Sequence, residues 1–177
     1  MLRLSPITLV AFRPKTQAEK LLSLLALSEY IHVGLLTRRK GSSSLWVYHA
    51  SKEMGQVLLE PLDYFLDCLK YSCDFYQLKP EIETKLDISE SVKAAEHYLG
   101  KPYGWSTVKW LALAYFPIIG KKIKYAWPDN DPKCPHCAAL VSNILRKGGV
   151  DPCPDYSDVM TTPDDLCYSP VFRLVRF

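Results

Sequence analysis

Two runs rich in branched and aromatic residues, EYIHVGLLT (29–37) and LWVYHA (45–50), flank the turn-like RRKGSSS. That pattern predicts an antiparallel hairpin. Other strand-like runs are at hand to join it: ITLVAF (7–12), QVLLE (56–60), DFYQLKP (74–80) and the alternating tail VFRLVRF (171–177), which reads as an edge or closing strand. Helical patterns sit apart from them. Thr16 to Ser28 carries Leu21, Leu22, Leu24, Leu25 and Leu27 behind a threonine start, the pattern of an apolar helix face. A short helix is expected to open at Pro61, since proline suits a first turn. DISESVKAAEHYLG (87–100) has acids at its start and Gly100 at its end, the signature of a capped helix. Ser106 is placed to cap a helix through Tyr115. CAALVSNILRKGG (137–149) sets Cys137, Leu140, Val141, Ile144 and Leu145 on one stripe and stops at Gly148-Gly149. A β-rich middle with segregated helices predicts an α+β fold.

The chain of 177 residues is the size of one domain, taken as 1–177, and 48% hydrophobic against 23% charged residues suffices for a core. A net charge of +3 and the lack of a basic, aromatic stripe argue against nucleic acid. The N-terminal MLRLSPITLVAF is broken by Pro6 and does not read as a signal peptide. The apolar run from Trp110 to Ile119 contains Pro117 and is too short to span a bilayer. A soluble protein is expected, cytoplasmic or delivered without a signal peptide, for instance with a virion. The basic, aromatic segment 109–127 is expected to pack on the core with Lys121, Lys122 and Lys124 solvated; its second reading is peripheral contact with a membrane surface or an acyl chain.

Six irregularly spaced cysteines do not make a disulfide scaffold, so reduced thiols are expected. Cys137 stands out because a helix opening near Pro135 would aim free N–H groups and the positive end of its dipole at the sulfur. Both favour the thiolate, which is the nucleophile, and the same N–H groups could stabilise an oxyanion. The bland alternative is a small buried residue.

A thiol nucleophile needs a base, and there are four histidines. His136 would have to bend back to reach its neighbour, and His97 lies on a predicted helix. His32 sits in the first hairpin strand, two residues before Gly34, and His49 in the second. If His32 pairs opposite His49, the rings share a face and His49 can orient His32. A slip of one residue would put them on opposite faces.

The order Ile31-His32-Val33-Gly34, then LGKPYGW (99–105), then CAALVSNIL (137–145) resembles the circularly permuted branch of the NlpC-type papain-like hydrolases, which includes relatives of lecithin retinol acyltransferase. GGVDP (148–152) and TTPDDLCYSPVFRLV (161–175) are similar to that family's closing segment. The resemblance implies a papain-like fold with a central antiparallel sheet and a nucleophile-bearing helix. It implies Cys137 as nucleophile, His32 as base, His49 as third polar residue, and Tyr103 with Trp105 at the substrate pocket. The chain departs from the family at Ile31 and Ala138-Ala139, where serine and Ser-Glu are usual.

Two other readings use the same cysteine. Cys134-Pro135-His136-Cys137 matches the C-x-x-C of thiol–disulfide oxidoreductases, although it comes late and follows a polar loop. Cys134, Cys137, Cys153 and Cys167 would make a zinc site lacking a second tight pair. The leading expectation is therefore a cysteine peptidase or amidase needing no cofactor or metal. Its substrate would be a peptide, with peptidoglycan as the class the resemblance implies. The alternatives are a lipid acyltransferase or deacylase on the same fold, or thiol–disulfide exchange.

Overall fold

The computed structural model of the chain describes residues 7–26, 28–38, 44–106, 108, 133–155 and 157–175. The turn at 39–43, the segment 109–127 and nearly all of the helix expected from Ser106 lie outside the described residues. Six strands form one sheet: β1 (Thr8–Phe12), β2 (His32–Arg38), β3 (Leu45–Ser51), β4 (Gln56–Pro61), β5 (Cys73–Leu78) and β6 (Phe172–Val175). Their spatial order is β4-β3-β2-β1-β5-β6, and every neighbouring pair is antiparallel. The fold is thus α+β, with the tail strand at one edge and β4 at the other.

Local chemistry accounts for the helix starts. At α1 (Gln17–Ala26) the Glu19 N–H donates to Thr16 Oγ1 at 3.1 Å while the Thr16 N–H donates to Glu19 Oε2 at 2.8 Å. This reciprocal pair satisfies two donors that the helix itself leaves open. After the short α2 (Pro80–Glu83), α3 (Ile88–Tyr98) is capped by the Asp87 side chain, which accepts from the Glu90 N–H. Further helices among the described residues are α4 (Cys137–Lys147) and α5 (Pro163–Cys167). The helix expected to open at Pro61 opens one residue on, at Leu62. Pro61 ends β4 opposite Trp46, and a π-helical turn follows over Tyr64–Cys68. A proline is tolerated at the end of an edge strand because its missing N–H breaks no further ladder bond.

Alternation along the strands gives the sheet two covered faces. Leu9, Ala11, Val33, Leu35, Tyr48 and Ala50 pack with Ala138, Leu140, Val141, Ile144 and Leu145 of α4 in the main core. A smaller cluster holds Val10, Phe12, Leu36, Val47, Leu62 and Phe65. The single apolar stripe expected for α4 understates its burial: every residue from Cys137 to Leu145 is buried. Its polar members are satisfied from outside the helix. Ser142 Oγ donates to Asp158 Oδ1 at 2.5 Å, Asn143 Nδ2 to Asp158 Oδ2 at 3.2 Å, and Tyr98 Oη to Asn143 Oδ1 at 2.8 Å. Arg146 Nη2 lies 3.4 Å from the same Asp158. These bonds hold α4 between α3 and the turn Asp158–Met160, and so fix where Cys137 stands. Among the described residues no helix is long and apolar enough to cross a membrane.

Candidate active site

Cys137 is the first residue of α4, as the run 137–149 predicts, and His136 is its cap. His136 Nδ1 accepts from the Ala139 N–H at 3.5 Å and its Nε2 donates to the Val159 carbonyl at 3.0 Å. Both ring nitrogens are occupied, and burial pushes the imidazole down to about 4. His136 is a neutral structural cap, not a base for its neighbour. His97 stands on the exposed side of α3 against Lys101, 2.7 Å away.

The hairpin register differs from the one that would set His32 opposite His49. Leu35 pairs with Tyr48 and Leu36 with Val47, so the ladder carries His49 across from Gly34, two residues beyond His32. An offset of two keeps both rings on one face. They meet edge-on with centroids 5.1 Å apart, and His32 Nε2 lies 3.0 Å from His49 Nδ1. Gly34 makes the approach possible. A Cβ there would collide with Val47 Cγ1, stand 2.8 Å from the Tyr48 carbonyl oxygen and press on His49 Cβ at 3.3 Å.

His49 is 3% exposed and its second nitrogen, Nε2, lies 2.8 Å from Glu60 Oε2 on β4. Glu60 is the residue the sequence reading missed. The available signal was a single acid in an otherwise apolar strand, QVLLEP. Burial is the largest influence on both rings and disfavours their cations. His32 is driven well below its ordinary value by burial, by His49 and by Lys52. His49 is also lowered by burial, with Glu60 pulling the other way.

The Cys137 sulfur faces backbone N–H groups of Val33, Ala138 and Cys137 itself, each of which favours its anion. Val33 directly follows His32, so the strand that carries the histidine also touches the thiol. The expected resting thiolate is nevertheless opposed. Cys137 is 6% exposed, and burial outweighs the three donors and the Lys52 charge to raise its pKa. A dipole effect at a helix end is worth roughly 1 kcal/mol, whereas desolvating an anion costs several. The resting pair is a neutral thiol with neutral imidazoles.

His32, His49, Lys52, Glu53, Tyr71 and Tyr103 line a narrow cleft with a cavity volume of about 50 Å³. That is room for a reacting group or one or two waters, not for a whole ligand. Tyr103 is held there by its backbone: its N–H donates to the Gly55 carbonyl at 2.8 Å, and the next N–H, of Gly104, donates to Pro135 at 3.2 Å. Trp105 is 52% exposed and packs on Tyr103 with centroids 5.0 Å apart, outside the cleft lining. A Cβ at Gly104 would run into the Cys134 carbonyl oxygen and stand 3.1 Å from His136 N. Gly104→Ala is therefore expected to cost about 1–3 kcal/mol of stability and to slow modification of Cys137. Urea titration and timed alkylation check the two effects.

No disulfide joins any of the six cysteines; Cys134 is partly exposed, and Cys153 and Cys167 are buried. Among the described residues no three His, Cys, Asp or Glu side chains converge as metal ligands. The two histidines point nitrogen to nitrogen at hydrogen-bond distance.

No protein-family model matches this chain. No curated protein sequence matches it either. Among solved structures it is similar to one from Escherichia coli O157:H7 described as metalloprotein yiiX, DUF1105. The two share 16% identity over 99% of this chain and 98% of that one, with a TM-score of 0.64. At that identity the likeness concerns the fold.

Proposed function

We propose that this chain is a papain-like thiol hydrolase of the circularly permuted NlpC type, with Cys137 as nucleophile and His32 as base. The observation that carries the reading is a chain of hydrogen-bonded groups, His32–His49–Glu60. It ends on the strand whose next residue, Val33, offers its N–H to the Cys137 sulfur. In papain-like enzymes the cysteine comes early and the histidine later. Here a histidine strand precedes a cysteine helix, the order a circular permutation would produce.

Chemistry on this frame starts from the neutral pair. His32 takes the thiol proton as sulfur attacks a carbonyl carbon, and the N–H groups at the start of α4 receive the developing oxyanion. His32 then gives the proton to the leaving amine, leaving a thioester on Cys137. Water, deprotonated by the same ring, hydrolyses the thioester and regenerates the thiol. A buried thiol activated at the moment of attack suits a site that stays inert until a substrate fills the cleft.

The substrate class we favour is a peptide amide, with a cell-wall peptide as the type the motif resemblance implies. One observation favours a second class on the same chemistry. Met54 is 64% exposed and Trp105 52% exposed, each next to a partner of the Tyr103–Gly55 bond or one residue beyond it, and such exposed apolar side chains would suit an acyl chain. Mapping with a thiol-directed electrophile tests the whole reading. Modification is expected at Cys137, to survive Cys134→Ala and to be lost in His32→Ala. Preferential modification of Cys134 would instead favour disulfide exchange through Cys134-Pro135-His136-Cys137. Peptide amides and acyl thioesters offered side by side then separate the two substrate classes.

A further inference from the structure

We infer that Glu60 sets the tautomer of both histidines and thereby makes Nδ1 of His32 the atom that receives the proton. The inference deepens the hydrolase reading and rests on it for the role of that proton, but the tautomers can be tested without any substrate.

The derivation begins at the outer end of the chain. As a carboxylate, Glu60 can only accept, so His49 Nε2, 2.8 Å from Oε2, must carry a hydrogen. A neutral imidazole has one ring hydrogen, and burial keeps His49 toward the neutral form. Its Nδ1 is then a lone pair. That lone pair faces His32 Nε2 at 3.0 Å, so His32 must donate there. Burial also keeps His32 neutral, which leaves its Nδ1 bare. This is the one ring position from which His32 can accept a proton from Cys137. Once it has done so, the imidazolium still points Nε2–H at His49, and its charge is met along the chain by Glu60 without any ring turning.

Loss of the carboxylate removes the anchor. His49 could then carry its hydrogen on Nδ1, aimed at His32 Nε2, and His32 would have to move its own hydrogen to Nδ1. In that state His32 offers the thiol a donor where it needs an acceptor. The other charged and titratable groups near the pair are Lys52, Glu53 and Glu19, with Tyr71 and Tyr103, and Cys137 acts on Tyr103. None of them is hydrogen-bonded to His49 Nε2 in place of Glu60. Glu60 is a positioning residue in this scheme, because it acts through His49.

The test is nitrogen NMR on protein labelled at its histidine rings, for wild type, Glu60→Gln and Glu60→Met, at a pH where the rings are neutral. In wild type, both His32 and His49 should be protonated at Nε2 and bare at Nδ1. The Gln variant keeps an acceptor oxygen and should keep both tautomers. The Met variant should show mixed tautomers on both rings. In turnover the Met variant should lose about 10²-fold in kcat with little change in KM, and the Gln variant should lose less while its acid limb moves to lower pH. A wild-type His32 protonated at Nδ1, or tautomers unmoved in Glu60→Met, would overturn the inference. Correct tautomers in a protein whose Cys137 shows no His32-dependent labelling would leave it standing and sink the hydrolase reading instead.

Discussion

Replacing Cys137 with alanine is expected to lower kcat/KM by at least ~10⁴-fold, and His32→Ala by a similar factor. The double variant should be scarcely worse than either single one. A nucleophile without its base and a base without its nucleophile are equally idle, so their effects do not add. The expectation is sharpened by the neutral resting state. A preformed thiolate would keep part of its reactivity when the base is removed. The Cys137 thiol is raised by burial, so it has little reactivity of its own to fall back on. The structural cost of Cys137→Ala should be small, since it deletes one buried sulfur beside Ala138 and Ala139. Acyl-enzyme trapping followed by mass analysis measures the loss directly. An unchanged rate in His32→Ala would remove His32 from the mechanism, and retention of acyl-enzyme in Cys137→Ala would move the nucleophile elsewhere.

Acid should destabilise this protein, because three of its histidines are held neutral. His32, His49 and His136 are all lowered by burial, and His136 is pushed down to about 4. In the unfolded chain a histidine takes its proton near 6.5, so between that value and the folded one the unfolded state binds more protons. Stability therefore rises with pH across this window and is lost as pH falls through it. His136 alone accounts for roughly 3 kcal/mol on descending to pH 4. His32 and His49 act in the same direction. Asp158 works in the opposite sense: burial raises its pKa, so the folded state takes up that proton first. It can offset at most one of the three. Against the usual 5–15 kcal/mol of domain stability, a marked fall in stability between pH 6.5 and 4 is expected. Urea midpoints between pH 4.5 and 7.5 check the slope. His136→Asn keeps a capping acceptor and should flatten the slope by about 1.4 kcal/mol per unit. A flat profile from pH 7 to 5 would contradict the neutral assignment of all three rings.

The strands and helix starts are legible in the chain because the physics that makes them is local. The branched and aromatic runs ITLVAF and LWVYHA, the Thr16/Glu19 pair and Asp87 ahead of α3 each act within a few residues. Pro61 suits a helix start and a strand end equally well, and the helix opens one residue on, at Leu62. Only its pairing with Trp46 decides for the strand.

In the candidate site, the residue types and their order were legible: a cysteine opening a helix, and histidines in two adjacent strands. Their relations were not. Whether His49 stands opposite His32 or two residues away depends on a hairpin register that spans the turn. Glu60 joins the pair only because β4 folds back beside β3. His136 looked like a distant second base and became a cap once the Val159 carbonyl was brought over it. The sequence by itself determined which groups could do chemistry here, since side-chain type and helix capping are properties of short segments. Tertiary structure alone decided that Cys137 rests as a thiol and that the two histidines connect to Glu60. Burial and cross-strand pairing are sums over residues far apart in the chain, and no local pattern contains them.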